Sequence, residues 1–248
     1  MSVTSDKPYY TAYEKRYAAL YAQGVQYWTA HPEELRVIKE AVGIFLEKCH
    51  PQMDRPPHVI EFGCGEGYVG ELLVSQGYRY TGIDIAASAI EKARERLKQF
   101  GDQIGLLVAD ILDLSSLPSA TFDAGIDMGC LHMLVVDADR HRYLQNANRV
   151  LKPGAQMLFR EAFRSDAPAE IVESYEAWVE RTGVDIETPQ VREAWQNGKG
   201  MEVHLPCLAA RARNAGQYQQ EMEAVGFEFL WSRISEDGLG VSFHVRKR

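Results

Sequence analysis

Between residues 59 and 70 the chain reads Val-Ile-Glu-Phe-Gly-Cys-Gly-Glu-Gly-Tyr-Val-Gly, and no other stretch constrains the fold as strongly. A short apolar run, Val59, Ile60 and Phe62, breaks at Gly63, Gly65 and Gly67, after which Val69, Leu72 and Leu73 recur at helical spacing. The pattern predicts a buried strand that runs through a tight turn into a helix. Glycine suits such a turn because it takes positive φ without strain and leaves no Cβ between the backbone and a ligand. Glu61 is a carboxylate in an otherwise apolar strand, and a buried charge requires a partner.

From His58 onward strand and helix signals alternate, the pattern of an α/β protein with a largely parallel sheet. Strands are expected at 58–62, 79–85, 105–110, 122–128 and 155–162, with helices near 67–76, 87–99 and 138–150. Leu151-Lys152-Pro153-Gly154 reads as a turn into the fifth strand. Ahead of this core, Tyr9, Tyr13, Tyr17 and Tyr21 fall four residues apart, placing four phenols on one face of a helix that Gly24 ends. That face either packs on the core or, with Trp28, forms a lid over a ligand. A second helix begins at His31-Pro32-Glu33-Glu34 and buries Leu35, Ile38, Val42, Phe45 and Leu46; a proline-bearing linker, Pro51 to Pro57, closes the arm.

Residues 164–214 are longer than a crossover requires and read as a cap at one edge of the sheet. The expected pieces are a helix carrying Ile171, Tyr175, Trp178 and Val179, a second short helix around Val191 to Trp195, and an extended segment from Met201 to Leu208. A helix at 215–225 and strands at 227–234 and 239–246, joined at Asp237-Gly238, complete the chain as an antiparallel unit. The expected organisation is one domain over 1–248: a helical arm or lid (1–57), a cofactor-binding core (58–163), a substrate cap (164–214), and a C-terminal helix and hairpin (215–248).

A chain of 248 residues, 46% of them hydrophobic, can build one sizeable core. Its formal net charge of −8 and its dispersed Lys and Arg argue against nucleic acid as a partner. The cysteines at 49, 64, 130 and 207 lack metal-ligand spacing, no bound metal is expected, and nothing resembles a signal peptide or membrane span. The expectation is a cytoplasmic protein with reduced thiols and no membrane partner.

Gly65-Glu66-Gly67-Tyr68-Val69-Gly70 satisfies the spacing GxGxxG, and Asp84 ends the next strand, where a carboxylate holds ribose hydroxyls. That much fits any nucleoside ligand, and Asp84 as a helix-start residue is the structural alternative. Three features favour S-adenosylmethionine over a dinucleotide: Glu61 just before the turn, facing a cationic group; Asp110 after the third strand, placed to accept from an adenine amino group beside Ile111; and a closing antiparallel hairpin where a nicotinamide domain continues with parallel units.

On these motifs, in this order over about residues 58–163, the chain resembles the class I S-adenosylmethionine-dependent methyltransferases. The resemblance implies a Rossmann-like, seven-stranded, mostly parallel sheet with a C-terminal antiparallel hairpin and helices on both faces, here joined by an N-terminal helical lid and an inserted cap. It also implies S-adenosylmethionine as cofactor, with Trp28, Glu61, Gly63, Cys64, Gly65, Gly67, Asp84, Ile85, Asp110, Ile111 and Asp127 around it. Asp127-Met128-Gly129 and the arm residues Tyr13, Arg16, Tyr17, Trp28 and Pro32-Glu33 are similar to the small-molecule thiopurine and thiol methyltransferase branch. Met128 stands where that branch usually carries arginine, and the cap has no counterpart there.

Methyl transfer from a sulfonium is an in-line displacement, so the protein mainly positions the reactants, which accounts for roughly 7–11 kcal/mol of barrier lowering. A base is needed only when the nucleophile carries a proton of high pKa. His132, a few residues past the fourth strand, is the candidate; its alternative is a helix-start histidine bonded to backbone. Tyr17, Tyr21, Arg160, Trp178 and His204 are the candidate contacts to a small-molecule acceptor, with Arg160 suited to an anionic group. The other functions open at this point are a nicotinamide-dependent oxidoreductase and a non-catalytic nucleoside-binding module.

Overall fold

The computed structural model describes residues 9–49, 55–184 and 188–248, so residues 51–54 of the proline-bearing linker lie outside it. The elements run as follows: a 3-10 turn Tyr9–Thr11, α1 Ala12–Ala22, α2 Pro32–Cys49, β1 His58–Phe62, α3 Tyr68–Val74, β2 Arg79–Asp84, α4 Ala87–Leu97, β3 Ile104–Val108, β4 Phe122–Asp127, α5 Asp137–Val150 and β5 Leu151–Ala162. They continue with α6 Tyr175–Thr182, β6 Pro189–Gln196, β7 Lys199–Pro206, α7 Ala215–Ala224, β8 Phe227–Ile234 and β9 Gly240–Lys247.

Seven strands form one sheet in the order β3-β2-β1-β4-β5-β9-β8. The pairs among β1 to β5 are parallel, and β9 runs antiparallel between β5 and β8. Alternation along β1 assigns its side chains to two layers. Ile60 and Phe62 pack under α5 and α7 with Tyr143, Leu144, Tyr218 and Met222. Val59 packs on the other face with Phe45 of α2, Leu73 of α3 and Ile90 of α4. Strand order reverses between β1 and β4, and the crevice at such a switch point, beyond the carboxyl ends of the strands, is where open α/β sheets bind ligands.

The fifth strand starts at Leu151, so Pro153 and Gly154 lie within β5, where its pairing with β4 shifts register between Phe122 and Ala124. The larger departure is in the cap. Val191 to Trp195, expected as a helix, is the centre of β6, which pairs antiparallel with β7 as a separate two-stranded sheet. The signal lies in the connection: Asn197 and Gly198 both have positive φ, 52° and 75°, and join Gln196 to its partner Lys199. Asn-Gly in a two-residue loop of this kind is the signature of a primed hairpin turn. This hairpin buries Ala194, Val203 and Leu205 against Leu20 and Val25, so the cap carries the N-terminal arm.

Candidate active site

The glycine turn has the shape its sequence requires. Gly63, Gly65 and Gly67 take φ of 66°, 49° and 75°, and the Gly67 amide closes the turn onto the Cys64 carbonyl at 3.0 Å. A Cβ on Gly65 would lie 2.8 Å from the Tyr17 hydroxyl, and one on Gly63 would lie 2.8 Å from Cys130. Asp84 anchors the turn from β2, accepting from the Gly65 amide and from the Ala86 amide, both at 2.8 Å. Burial raises its pKa to about 6, against the pull of those amides.

The partner of Glu61 is Tyr80, whose buried phenol donates to the Glu61 carboxylate from the neighbouring strand. Burial also holds the Glu61 carboxyl well above its usual range. The sequence pattern did not point to Glu66, although this residue joins the arm to the turn. Its carboxylate accepts from the Tyr21 hydroxyl at 2.9 Å and from the amides of Trp28 at 2.6 Å and Thr29 at 3.1 Å. A residue between two glycines carries no periodic signal; its near-complete burial appears only in three dimensions.

A cavity of about 400 Å³ opens between this turn and the arm. Trp28, Glu61, Gly63, Cys64, Gly65, Asp84, Ile85, Asp110 and Ile111 line it, together with Tyr17 and His132. Asp110 accepts from the Leu112 amide at 2.8 Å and the Tyr10 hydroxyl at 2.9 Å. Arg16, Tyr13 and Met128 are further lining residues. The Arg16 guanidinium lies 4.6 Å over the Trp28 ring, and among the described residues it has no carboxylate in ion-pair range. Among the described residues the buried Tyr13 hydroxyl has no hydrogen-bond partner.

The remaining candidates lie elsewhere. Gly67 sits beneath the turn, where a Cβ would meet Ala93 at 3.1 Å. Tyr21 is committed to Glu66. Arg160 borders a separate groove with Trp231, Arg233 and Arg36. Trp178 is buried against Val136, Val172 and Ala209, stacked with Tyr175. His204 is exposed on β7, and its backbone pairs both ways with the Gln23 side chain at 2.9 Å. Among the described residues no group of three or more His, Cys, Asp or Glu is arranged to hold a metal, and no helix is long and apolar enough to cross a membrane.

Asp127 is fully buried and caps the loop that carries His132. It accepts from the amides of Gly129 at 3.0 Å, Cys130 at 2.6 Å and Leu131 at 3.1 Å, and from the Tyr143 hydroxyl at 2.8 Å. Arg140, also buried, holds the same loop by donating to the Leu131 and Leu134 carbonyls at 2.8 and 3.0 Å. His132 therefore sits on a rigid support. Its Nδ1 lies 2.6 Å from Glu161 Oε2, which also accepts from the His132 amide at 2.8 Å. Burial lowers the His132 pKa to about 4 and raises that of Glu161 to about 7, so the imidazole is neutral at physiological pH.

Residues 59–154 match the family model described as "Methyltransferase domain". Over 101 residues the chain is 31% identical to a ubiquinone biosynthesis O-methyltransferase of Idiomarina loihiensis, covering 41% of this chain and 40% of that protein. It is 34% identical over 110 residues to the S-adenosyl-L-methionine-dependent Diels-Alderase iccD of Talaromyces variabilis, covering 43% and 36%. The matched segment thus spans less than half the length of either curated relative. Among solved structures, the 4+2 cyclase SpnF superposes with a TM-score of 0.68 at 16% identity, covering 97% of both chains. The 1,6-didemethyltoxoflavin-N1-methyltransferase of Burkholderia thailandensis, solved with bound 1,6-didemethyltoxoflavin and S-adenosylhomocysteine, gives 0.63 at 17%, covering 100% of this chain and 93% of that one. At such identities these likenesses carry the fold. Residues 59–154 are thus similar in sequence to a methyltransferase domain, and the chain shares its fold with these solved structures.

Proposed function

We propose that this chain transfers a methyl group from S-adenosylmethionine to a small-molecule acceptor that gives up a proton. The observation that carries the reading is that Asp84, Asp110 and His132 line one cavity under the arm. The cavity has features that fit the cofactor: a glycine turn with no Cβ in the way, the unpartnered Tyr13 hydroxyl, and a guanidinium without an ion pair. In this reading Asp84 accepts from the ribose hydroxyls, Asp110 and Ile111 hold the adenine, and Arg16 faces the α-carboxylate. When bound, the cofactor supplies a methyl group already activated on a sulfonium.

The chain's own residues do the rest. Trp28 and Tyr17 roof the cavity and exclude water, and Met128 gives it an apolar wall. His132, its Nδ1 turned to Glu161, has Nε2 left to accept the proton of an acceptor O–H or N–H. The acceptor side differs from the anionic preference that Arg160 suggested in the sequence, because Arg160 borders the other groove and the cavity's guanidinium is assigned to the cofactor.

The test is transfer of labelled methyl from S-adenosylmethionine to a panel of phenols, N–H heteroaromatics and thiols, with wild type and His132→Ala in parallel. The reading expects label in at least one O–H or N–H acceptor and a loss of on the order of 100-fold in the variant. Saturable cofactor binding with no transfer across the panel would contradict it and favour a cyclase of the kind named among the relatives.

A further inference from the structure

Glu161 is a buried carboxylate on β5 with an odd division of labour. Oε2 accepts from the His132 amide and lies against Nδ1, whereas Oε1 is buried and has no hydrogen-bond partner among the described residues. Burial holds the Glu161 pKa up, to about 7, so it can take up and release a proton near neutral pH. A purely structural support for the His132 loop has no use for this second acid, since Asp127 alone already caps three amides.

We propose that His132 and Glu161 form a proton relay, in which Glu161 receives through His132 the proton that the acceptor loses. The inference rests on the methyl-transfer reading above. At the start Glu161 is ionised and the imidazole is neutral, with Nδ1–H donated to Glu161 Oε2. As the acceptor's X–H bond breaks, its electron pair forms the new bond to the methyl carbon and its proton bonds to Nε2. The Nδ1–H bond breaks in the same movement and an O–H bond forms on Glu161. Glu161 is then protonated and the ring is again neutral, in the other tautomer. Reversal of these steps, with water in place of the departed product, returns the proton to solvent.

The relay explains how a histidine in this position serves as a base at all. Burial makes an imidazolium costly, and Arg140 and Arg160 add to that cost. Handing the proton on to Glu161 means the ring never has to carry the charge. The other titratable and charged groups around His132 and Glu161 are Asp127 at the end of β4, Cys130 on the loop, Tyr143 and Arg140 on α5, Arg160 on β5 and Tyr218 on α7. Arg140 is ion-paired with Glu221 at 2.6 Å.

The experiment is a pH titration of the His132 ring nitrogens by 15N NMR in the intact protein with S-adenosylhomocysteine added, comparing wild type with Glu161→Gln. The expected wild-type result is an Nδ1–H tautomer whose shifts inflect near pH 7, as Glu161 ionises, with no imidazolium forming until far lower pH. In Glu161→Gln that inflection disappears, and methyl transfer to the best acceptor of the panel falls at least about 100-fold with the cofactor Kd held within about twofold. A histidine that itself becomes cationic near its ordinary value in both proteins, or a variant with wild-type turnover and pH profile, would overturn the relay. If Glu161→Gln does not fold, the wild-type titration decides by itself. Calorimetric binding of S-adenosylhomocysteine reports separately on the methyl-transfer reading, so failure of one is not mistaken for failure of the other.

Discussion

The backbone amide of Trp28 donates to Glu66 Oε1 at 2.6 Å, fixing the arm to the middle of the glycine turn. Because Thr29 and Tyr21 use the same carboxylate, one side chain carries three contacts between two parts of the chain about forty residues apart. Glu66→Ala leaves two amides and a phenol without their acceptor, a loss of roughly 1–3 kcal/mol for each group that stays buried. The variant is expected to expose residues 23–31 to limited proteolysis and to weaken cofactor binding about tenfold or more. Wild-type resistance and wild-type affinity would show that the contact is incidental.

Asp84 serves two tasks that a single substitution removes together. Asp84→Ala removes the acceptor for the Gly65 and Ala86 amides, and in the proposed complex it also removes the ribose contacts. Cofactor binding is expected to weaken by more than about 1 kcal/mol in calorimetry. Affinity equal to wild type would take Asp84 out of the site.

His244 provides a pH test away from the cavity. Its ring is buried between Phe45 and Trp231, and burial lowers its pKa from 6.5 to about 4. Lys48 adds to the shift in the same direction. Between those two values the unfolded chain binds a proton that the folded one does not, so this residue costs stability as pH falls from 6.5 toward 4. Replacement by phenylalanine removes the dependence. From pH 7.5 to pH 5, denaturant melts of wild type are expected to lose on the order of 1–2 kcal/mol more than those of His244→Phe. Parallel pH curves would contradict the assignment.

The cap hairpin depends on its turn. Gly198 has φ of 75° with open space around the position of a Cβ, so the cost of Gly198→Val is conformational rather than a clash. A β-branched residue there is expected to cost about 1–2 kcal/mol locally, read as faster amide hydrogen exchange in β6 and β7 with β1 and β4 unaffected. Since Val203 and Leu205 seat Leu20, exchange in α1 should rise as well. Unchanged exchange in all three elements would refute the coupling of cap and arm.

The parts of this protein that were legible in the sequence are those fixed by local chemistry. Val59, Ile60 and Phe62 followed by three glycines specify β1, its turn and α3, because strand burial and positive φ leave few alternatives. The C-terminal hairpin was legible from Asp237-Gly238 between two apolar runs. The cap hairpin was misread because Val191-Arg192-Glu193-Ala194-Trp195 has helix-compatible composition; the decisive residues were Asn197 and Gly198, just beyond it. Contacts between distant residues left no trace in the pattern. The pairing of Glu61 with Tyr80 crosses 19 positions and that of His132 with Glu161 crosses 29, and each depends on strand order. Arg160 and Trp178 have suitable chemistry for a substrate site, but the side of the sheet edge on which each falls is set by packing.

The most direct measurement is a crystal structure with S-adenosylhomocysteine bound. The account predicts ribose hydroxyls on Asp84, the adenine amino group at Asp110, the α-carboxylate on Arg16, and the sulfur directed across open cavity toward His132 Nε2. An adenosyl group seated elsewhere, or a sulfur pointing away from His132, would contradict it.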